Sequence, residues 1–297
     1  MALSREFPRV GVTDHPALWS PDFPRRMRPK PHPTRPPGRL VRRTARVRRH
    51  TAPVDIVDDL AAEQERLESL LTPLTAEQWA SPSAAPGWSI ADTVLHLAQT
   101  EEGVVYTLTN TDGPDPFNRD GAALDDAVDQ AVRTQRASAD AIFERWCAAR
   151  RAALDALRKA DPDRRVPWAA APLRPAALAT TRLAEHWAHG LDITGPLGLP
   201  YDDTDRLRHV AWLGHRTLPY AFQVEGLEPH DVYCELTAPD GTTTWRYGPA
   251  DAESVVRGPA GDFCRVGARR VTPEQTRLIA EGPHAADALR VLRNYAV

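Results

Sequence analysis

From Asp55 onward, apolar residues recur at helical spacing. Ile56, Leu60, Leu67, Leu70 and Leu71 share one side of a 3.6-residue period, which predicts an amphipathic helix ending near Leu71. Thr75-Ala-Glu-Gln78 reads as a capping box that opens a short helical turn. Pro82 and Pro86-Gly87 then break the chain. A second long helix is expected over residues 89–109, burying Ile90, Val94, Leu97 and Val104, with Ser89 and Asp92 as capping groups. A loop at residues 110–118 carries Gly113, Pro114 and Pro116. Residues 121–159 follow as one long helix, its apolar side marked by Leu124, Val128, Ala131, Ile142, Trp146 and Leu157. Asp161-Pro162 ends it, and Pro172 and Pro175 precede a fourth helix over residues 176–194, stopped by Gly195-Pro196. Four helices in succession predict a four-helix bundle over residues 54–198.

The period changes in the second half. Residues 205–222 read as one more helix, carrying His209, Trp212, His215 and Arg216. Val232, Cys234 and Leu236 then alternate with Tyr233, Glu235 and Thr237, the pattern of a half-buried strand. Asp240-Gly241 signals a hairpin returning through residues 242–247. A short strand at 254–257, a helix from Gly258-Pro259 with Phe263 and Val266, a strand at 276–280 and a final helix at 285–294 complete a small α+β domain over residues 199–297. The fold class is therefore α+β, a helical bundle followed by a small mixed domain.

Composition and charge change this picture mainly at the N-terminus. Residues 1–53 hold 13 Arg/Lys against 3 Asp/Glu and ten of the 28 prolines, whereas the rest holds 24 against 37. The leader lacks periodic apolar residues, so it is expected to be disordered. A nucleic-acid arm over residues 39–49, a transit peptide and a dispensable extension are the readings, and the last is preferred. Apolar content of 42% suits a soluble globular chain, and no apolar run approaches a membrane span. Cys147, Cys234 and Cys264 lack metal-type spacing and are odd in number, which suggests a reducing, cytoplasmic setting. Cys234 and Cys264 read as small core fillers.

The candidate chemistry lies in Arg182-Leu-Ala-Glu-His-Trp-Ala-His-Gly-Leu-Asp192. Glu185 and His189 stand one helical turn apart on one face, and two such groups can clamp a divalent ion. A catalytic site usually takes a third protein ligand, and His96 is the best candidate once the second and fourth helices face each other. His186 is a rival ligand, ranked second because its side chain points roughly 100° from Glu185. Asp92 and Asp192 are candidates to orient the ligand histidines from behind. Without metal, Glu185 and His189 would be an ordinary surface pair and His96 a core histidine. Of Arg257, Arg265, Arg269 and Arg270, one is expected to meet an acidic substrate. The substrate-contact candidates are His215, Arg216, Arg269 and Arg270.

Trp88…Asp92…His96-Leu97 and Glu185-x-Trp-Ala-His189-Gly-x-Asp192 together resemble the DinB-like metal-binding fold, and more closely its mycothiol-dependent maleylpyruvate isomerase branch. The region 245–296, with Gly258-Pro-Ala-Gly-Asp-Phe263 and Arg269-Arg270, resembles the sterol-carrier-like C-terminal domain often attached to it. The resemblance implies zinc held by His96, Glu185 and His189, with mycothiol or a similar thiol as co-substrate. It implies an isomerase or S-transferase acting on a small electrophilic, acidic substrate. The competing expectation is a non-catalytic protein in which a metal only staples the helices.

Overall fold

The computed structural model describes residues 55–110, 121–169 and 171–294, with residues 121–125 described by their backbone. The basic leader expected at residues 1–53 lies outside the described residues, as do residues 111–118 of the loop expected at 110–118.

The helical half begins with α1 (Ile56–Leu71), capped by the Asp55 carboxylate on Val57 N–H. The capping box at Thr75 and Gln78 closes as expected and starts α2 (Ala76–Ala80). A second capping box, between Ser89 and Asp92, starts α3 (Ile90–Thr109). The single long helix expected over residues 121–159 is instead two, α4 (Gly121–Thr134) and α5 (Ala139–Lys159). The break has a physical cause in Ser138, whose hydroxyl accepts from Ala141 N–H and so begins a new helix. Next comes α6 (Pro175–Leu197), with Pro175 in its first turn and Gly198 in the left-handed conformation just past its end. The long helices α1, α3, α5 and α6 pack against one another, and α3 faces α6.

The helix expected over residues 205–222 also divides, into α7 (Leu207–Arg216) and α8 (Leu218–Val224). Pro219 has no N–H to give the preceding turn, so α7 cannot continue. Thr217 sits at the corner and its hydroxyl reaches the Arg293 carbonyl at 2.7 Å. Strands β1 (Val232–Thr237), β2 (Thr244–Tyr247), β3 (Ser254–Pro259) and β4 (Ile279–Glu281) form one sheet in the order β2-β1-β3-β4. The β1–β2 hairpin is antiparallel, β1 and β3 are parallel, and β3 and β4 are antiparallel. Helices α9 (Ala260–Gly267) and α10 (Ala285–Val291) pack on this sheet.

Val232, Cys234 and Leu236 are buried, so the alternation in β1 directs one face inward as its pattern implies. They belong to a core that also holds Leu60 of α1, Leu183 and Trp187 of α6, Val210 of α7 and Phe263 of α9. That core runs without interruption across the boundary expected at residues 198 and 199. A second cluster, with Leu67, Ile90, Leu97 and Trp146, fills the space among α1, α3 and α5. Among the described residues, no helix is long and apolar enough to cross a membrane.

Candidate metal centre

Two helices meet to build the site. The Ser89–Asp92 box fixes where α3 starts, and two turns later α3 presents His96 toward α6. From α6, Glu185 and His189 project together, as their spacing of four requires. Glu185 Oε2 lies 3.4 Å from His189 Nε2 and 3.6 Å from His96 Nε2. One donor atom from each residue falls within 4.8 Å of the others. A tetrahedral ion with bonds of roughly 2.0–2.1 Å separates neighbouring donors by about 3.4 Å, so this set fits a small divalent cation. His96 and His189 are nearly enclosed, while the Glu185 side chain keeps 31% of its surface exposed, leaving one edge of the cluster open.

Each histidine is oriented by different means. His189 Nδ1 lies 2.9 Å from Asp192 Oδ2, which favours a proton on Nδ1 and turns Nε2 toward Glu185. Asp192 is in turn gripped by Arg270, at 2.6 Å from Nε to Oδ1 and 2.5 Å from Nη2 to Oδ2. His96 Nδ1 is buried and finds no hydrogen-bond partner among the described residues. Packing holds that ring instead. The Trp88 indole lies 5.1 Å from it, centroid to centroid, and also stacks on His189 at 6.4 Å. Trp88 is itself anchored by Asp129, which accepts its indole N–H at 3.0 Å.

The electrostatics favour a cation at the cluster. Burial alone would raise the Glu185 carboxyl, but hydrogen bonds from His189 and His96 and the nearby charges hold it well below the usual carboxylate range. Burial opposes a proton on His189, yet Asp192 and Glu185 outweigh it and raise that imidazole. Burial keeps His96 below its ordinary value. Two carboxylates therefore stabilise positive charge at His189, and a metal ion would compete with a proton for the same Nε2.

Comparison with known proteins bears on the same residues. Residues 60–194 match the family described as the mycothiol maleylpyruvate isomerase N-terminal domain, a span that contains all three donors. Uncharacterized proteins from two strains of Mycobacterium tuberculosis are each 35% identical over 251 residues, covering 82% of this chain and 96% of their own length. Residues 60–194 thus belong to the mycothiol maleylpyruvate isomerase N-terminal domain family. The crystal structure of the mycothiol-dependent maleylpyruvate isomerase is similar in fold, with a TM-score of 0.52 at 14% identity over 77% of this chain and 95% of that one. A mutant of that enzyme gives a TM-score of 0.53 over the same shares.

Against this family background, the remaining sequence candidates fall into place or out of it. His186 is fully buried and turned away, its Nδ1 2.9 Å from the Arg182 carbonyl and its Nε2 3.3 Å from the Trp146 indole nitrogen. Burial and the Arg182 charge push its pKa down to about 3. Asp92 does not orient a ligand histidine. Its carboxylate closes the capping box on Ser89 N–H and pairs bidentately with Arg136 at 2.7 and 2.8 Å. His215 accepts a different task, bonding the Val232 carbonyl at 2.9 Å and stacking on Tyr247. Arg216 is exposed on the last turn of α7. Arg269 donates to the Arg290 and Val291 carbonyls, Arg265 pairs with Asp203, and Arg257 pairs with Glu281. Of the four substrate-contact candidates, Arg270 alone joins the donor cluster, and it does so through Asp192.

Sequence reasoning missed a buried ion pair beside the site. Arg182, 2% exposed, donates to Glu101, 0% exposed, at 2.9 Å and to the Thr100 hydroxyl at 2.6 Å. A signal for it existed, since Glu101 interrupts the apolar stripe of Val94, Leu97 and Val104 on α3.

Proposed function

We propose that this chain is a metal-dependent, thiol-dependent isomerase or S-transferase acting on a small, electrophilic, acidic substrate. The observation that carries this reading is the convergence of His96, Glu185 and His189 within 4.8 Å at a site with one open edge. Two imidazoles and one carboxylate suit zinc, and a closed structural site would normally take four protein ligands. When bound, such an ion supplies a free coordination position at which a thiol gives up its proton and becomes a nucleophile at neutral pH.

The chain's own residues prepare that chemistry. Asp192 favours a proton on His189 Nδ1 and turns Nε2 toward Glu185. Trp88 walls the histidines from water on one side, and the exposed flank of Glu185 leaves an approach for the thiol. The nearby Arg182 charge, held in place by Glu101, favours the ionised form of Glu185. Three unpaired, buried cysteines support a reducing, cytoplasmic setting and argue against a cysteine nucleophile within the protein itself. Isomerisation and transfer differ in whether thiol is consumed.

The test is metal analysis and thiol dependence on one purified sample. About one zinc-like ion per chain, with turnover of a conjugated acidic electrophile that needs both metal and mycothiol, is expected. A wild-type protein that binds no divalent ion overturns the reading. Turnover that survives complete chelation overturns it as well.

A further inference from the structure

We propose that Arg270 is a positioning residue for the metal centre. Through Asp192 it fixes the His189 imidazole, and it thereby ties metal affinity to the placement of the turn that follows α9. The inference rests on the metal reading above and extends it to a residue from the other half of the chain.

Three observations carry it. First, the contacts form an unbroken line. The Arg270 guanidinium takes both oxygens of Asp192, and Asp192 Oδ2 holds His189 Nδ1 at 2.9 Å. The third guanidinium nitrogen donates to the Ala268 carbonyl at 2.6 Å, so all three nitrogens are engaged. Asp192 is 1% exposed, and its carboxylate is shared between Arg270 and His189. Second, the backbone aims Arg270. Helix α9 ends with Arg270 N–H on the Arg265 carbonyl at 3.0 Å and Arg269 N–H on the Val266 carbonyl at 2.9 Å. This paired ending places the residue after the helix in the left-handed region, where glycine is usual. Here that residue is Arg269, at φ +58°. Third, the strained residue is held from outside. Arg269 donates to the Arg290 and Val291 carbonyls at the end of α10, so α10 braces the turn that directs Arg270.

A substrate-binding role for Arg270 makes a different forecast. It would leave metal affinity untouched in the absence of substrate. A merely structural role would act through general loosening, and Arg265 controls for that. Arg265 lies on the same α9 and makes an equally bidentate pair, with Asp203 at 2.8 and 2.9 Å, that does not reach the donors.

The experiment titrates cobalt or zinc into the full-length apoprotein against a chromophoric chelator, without thiol or substrate. Wild type, Arg270→Gln, Arg270→Lys, Asp192→Asn, Arg265→Gln and the double Arg270→Gln/Asp192→Asn are compared. Supporting groups behind a metal ligand typically matter about 10–100-fold in affinity, and Arg270→Gln and Asp192→Asn should each weaken binding by that much. The double variant should bind no more weakly than the weaker single, because both act on one line. Arg265→Gln should bind as wild type does. Arg270→Lys keeps the charge but loses the fork, so it should weaken binding measurably, and it serves as the informative variant if Arg270→Gln does not fold. Wild-type affinity in every folded Arg270 variant overturns the inference, as does equal weakening by Arg265→Gln or full additivity in the double. Absence of metal binding in wild type overturns the metal reading itself, and the two failures are thereby told apart.

Discussion

Replacing Glu101 by alanine should destabilise this fold more than almost any other single polar change. The substitution strands the Arg182 guanidinium, 2% exposed, with only the Thr100 hydroxyl as a close side-chain partner. Breaking a buried pair by removing one member costs about 3–5 kcal/mol, because the survivor remains charged and desolvated. For a domain of this size each kcal/mol is worth roughly 2–4 °C, so the midpoint of thermal unfolding should fall by on the order of 10 °C. The double variant Glu101→Leu/Arg182→Met should recover most of that loss, since well-packed apolar residues often match a buried pair. Burial pushes the Glu101 carboxyl up even against the charge and hydrogen bond of Arg182. A carboxyl raised in the folded state binds more protons folded than unfolded. Wild-type stability relative to the double variant should therefore decline as pH rises from the ordinary carboxylate value through the raised one. Thermal and urea unfolding of the metal-free proteins, followed by circular dichroism across pH 4–8, measures both effects. A loss below about 1 kcal/mol in Glu101→Ala would show that water reaches Arg182, and the low-dielectric picture of the site would be wrong.

Other expectations follow from single contacts. A Cβ at Gly190 would lie 2.3 Å from the Tyr201 ring, whose hydroxyl is fixed on Glu63, so Gly190→Ala should cost about 1–3 kcal/mol in urea unfolding. Burial raises the Asp92 carboxyl, but the bonds from Arg136 and Ser89 prevail and lower it. Its stabilisation is thus present above the ordinary carboxylate value and lost as pH falls through the depressed one. Asp92→Asn should accordingly flatten the acid limb of the stability profile. Alanine at His96, Glu185 or His189 should each abolish stoichiometric metal in elemental analysis. His186→Ala should retain metal while lowering the melting temperature, because that ring is fully enclosed and bonded within the core.

The donor set was legible because helical spacing is a strong constraint. Glu185 and His189 at i, i+4 can only share a face, and capping chemistry at Ser89 announced where the helix carrying His96 begins. The strands of the C-terminal half were legible from alternation at Val232–Leu236 and from the Asp240-Gly241 turn. Helix breaks were harder to see. Ser138 and Pro219 end long periodic stretches by local hydrogen-bond accounting, which a hydrophobic stripe does not record. Partner choice was least visible. Asp92 lies one turn before His96 and looked like its support, yet Arg136, forty-four residues on, claims it. Arg270 read as a candidate contact for an acidic substrate, and only the folded chain brings it seventy-eight residues back to Asp192.

The proposed function requires that His96, Glu185 and His189 hold a metal ion at which a thiol is activated. Replacing the native metal with cobalt and titrating mycothiol into the protein tests it most directly. An intense sulfur-to-metal charge-transfer band is expected, saturating at one thiol per cobalt and persisting at pH values where the free thiol, near pKa ~8.5 for a cysteine-type group, is mostly protonated. A cobalt spectrum left unchanged by mycothiol and by simpler thiols would contradict it, and the ion would then be a staple for α3 and α6.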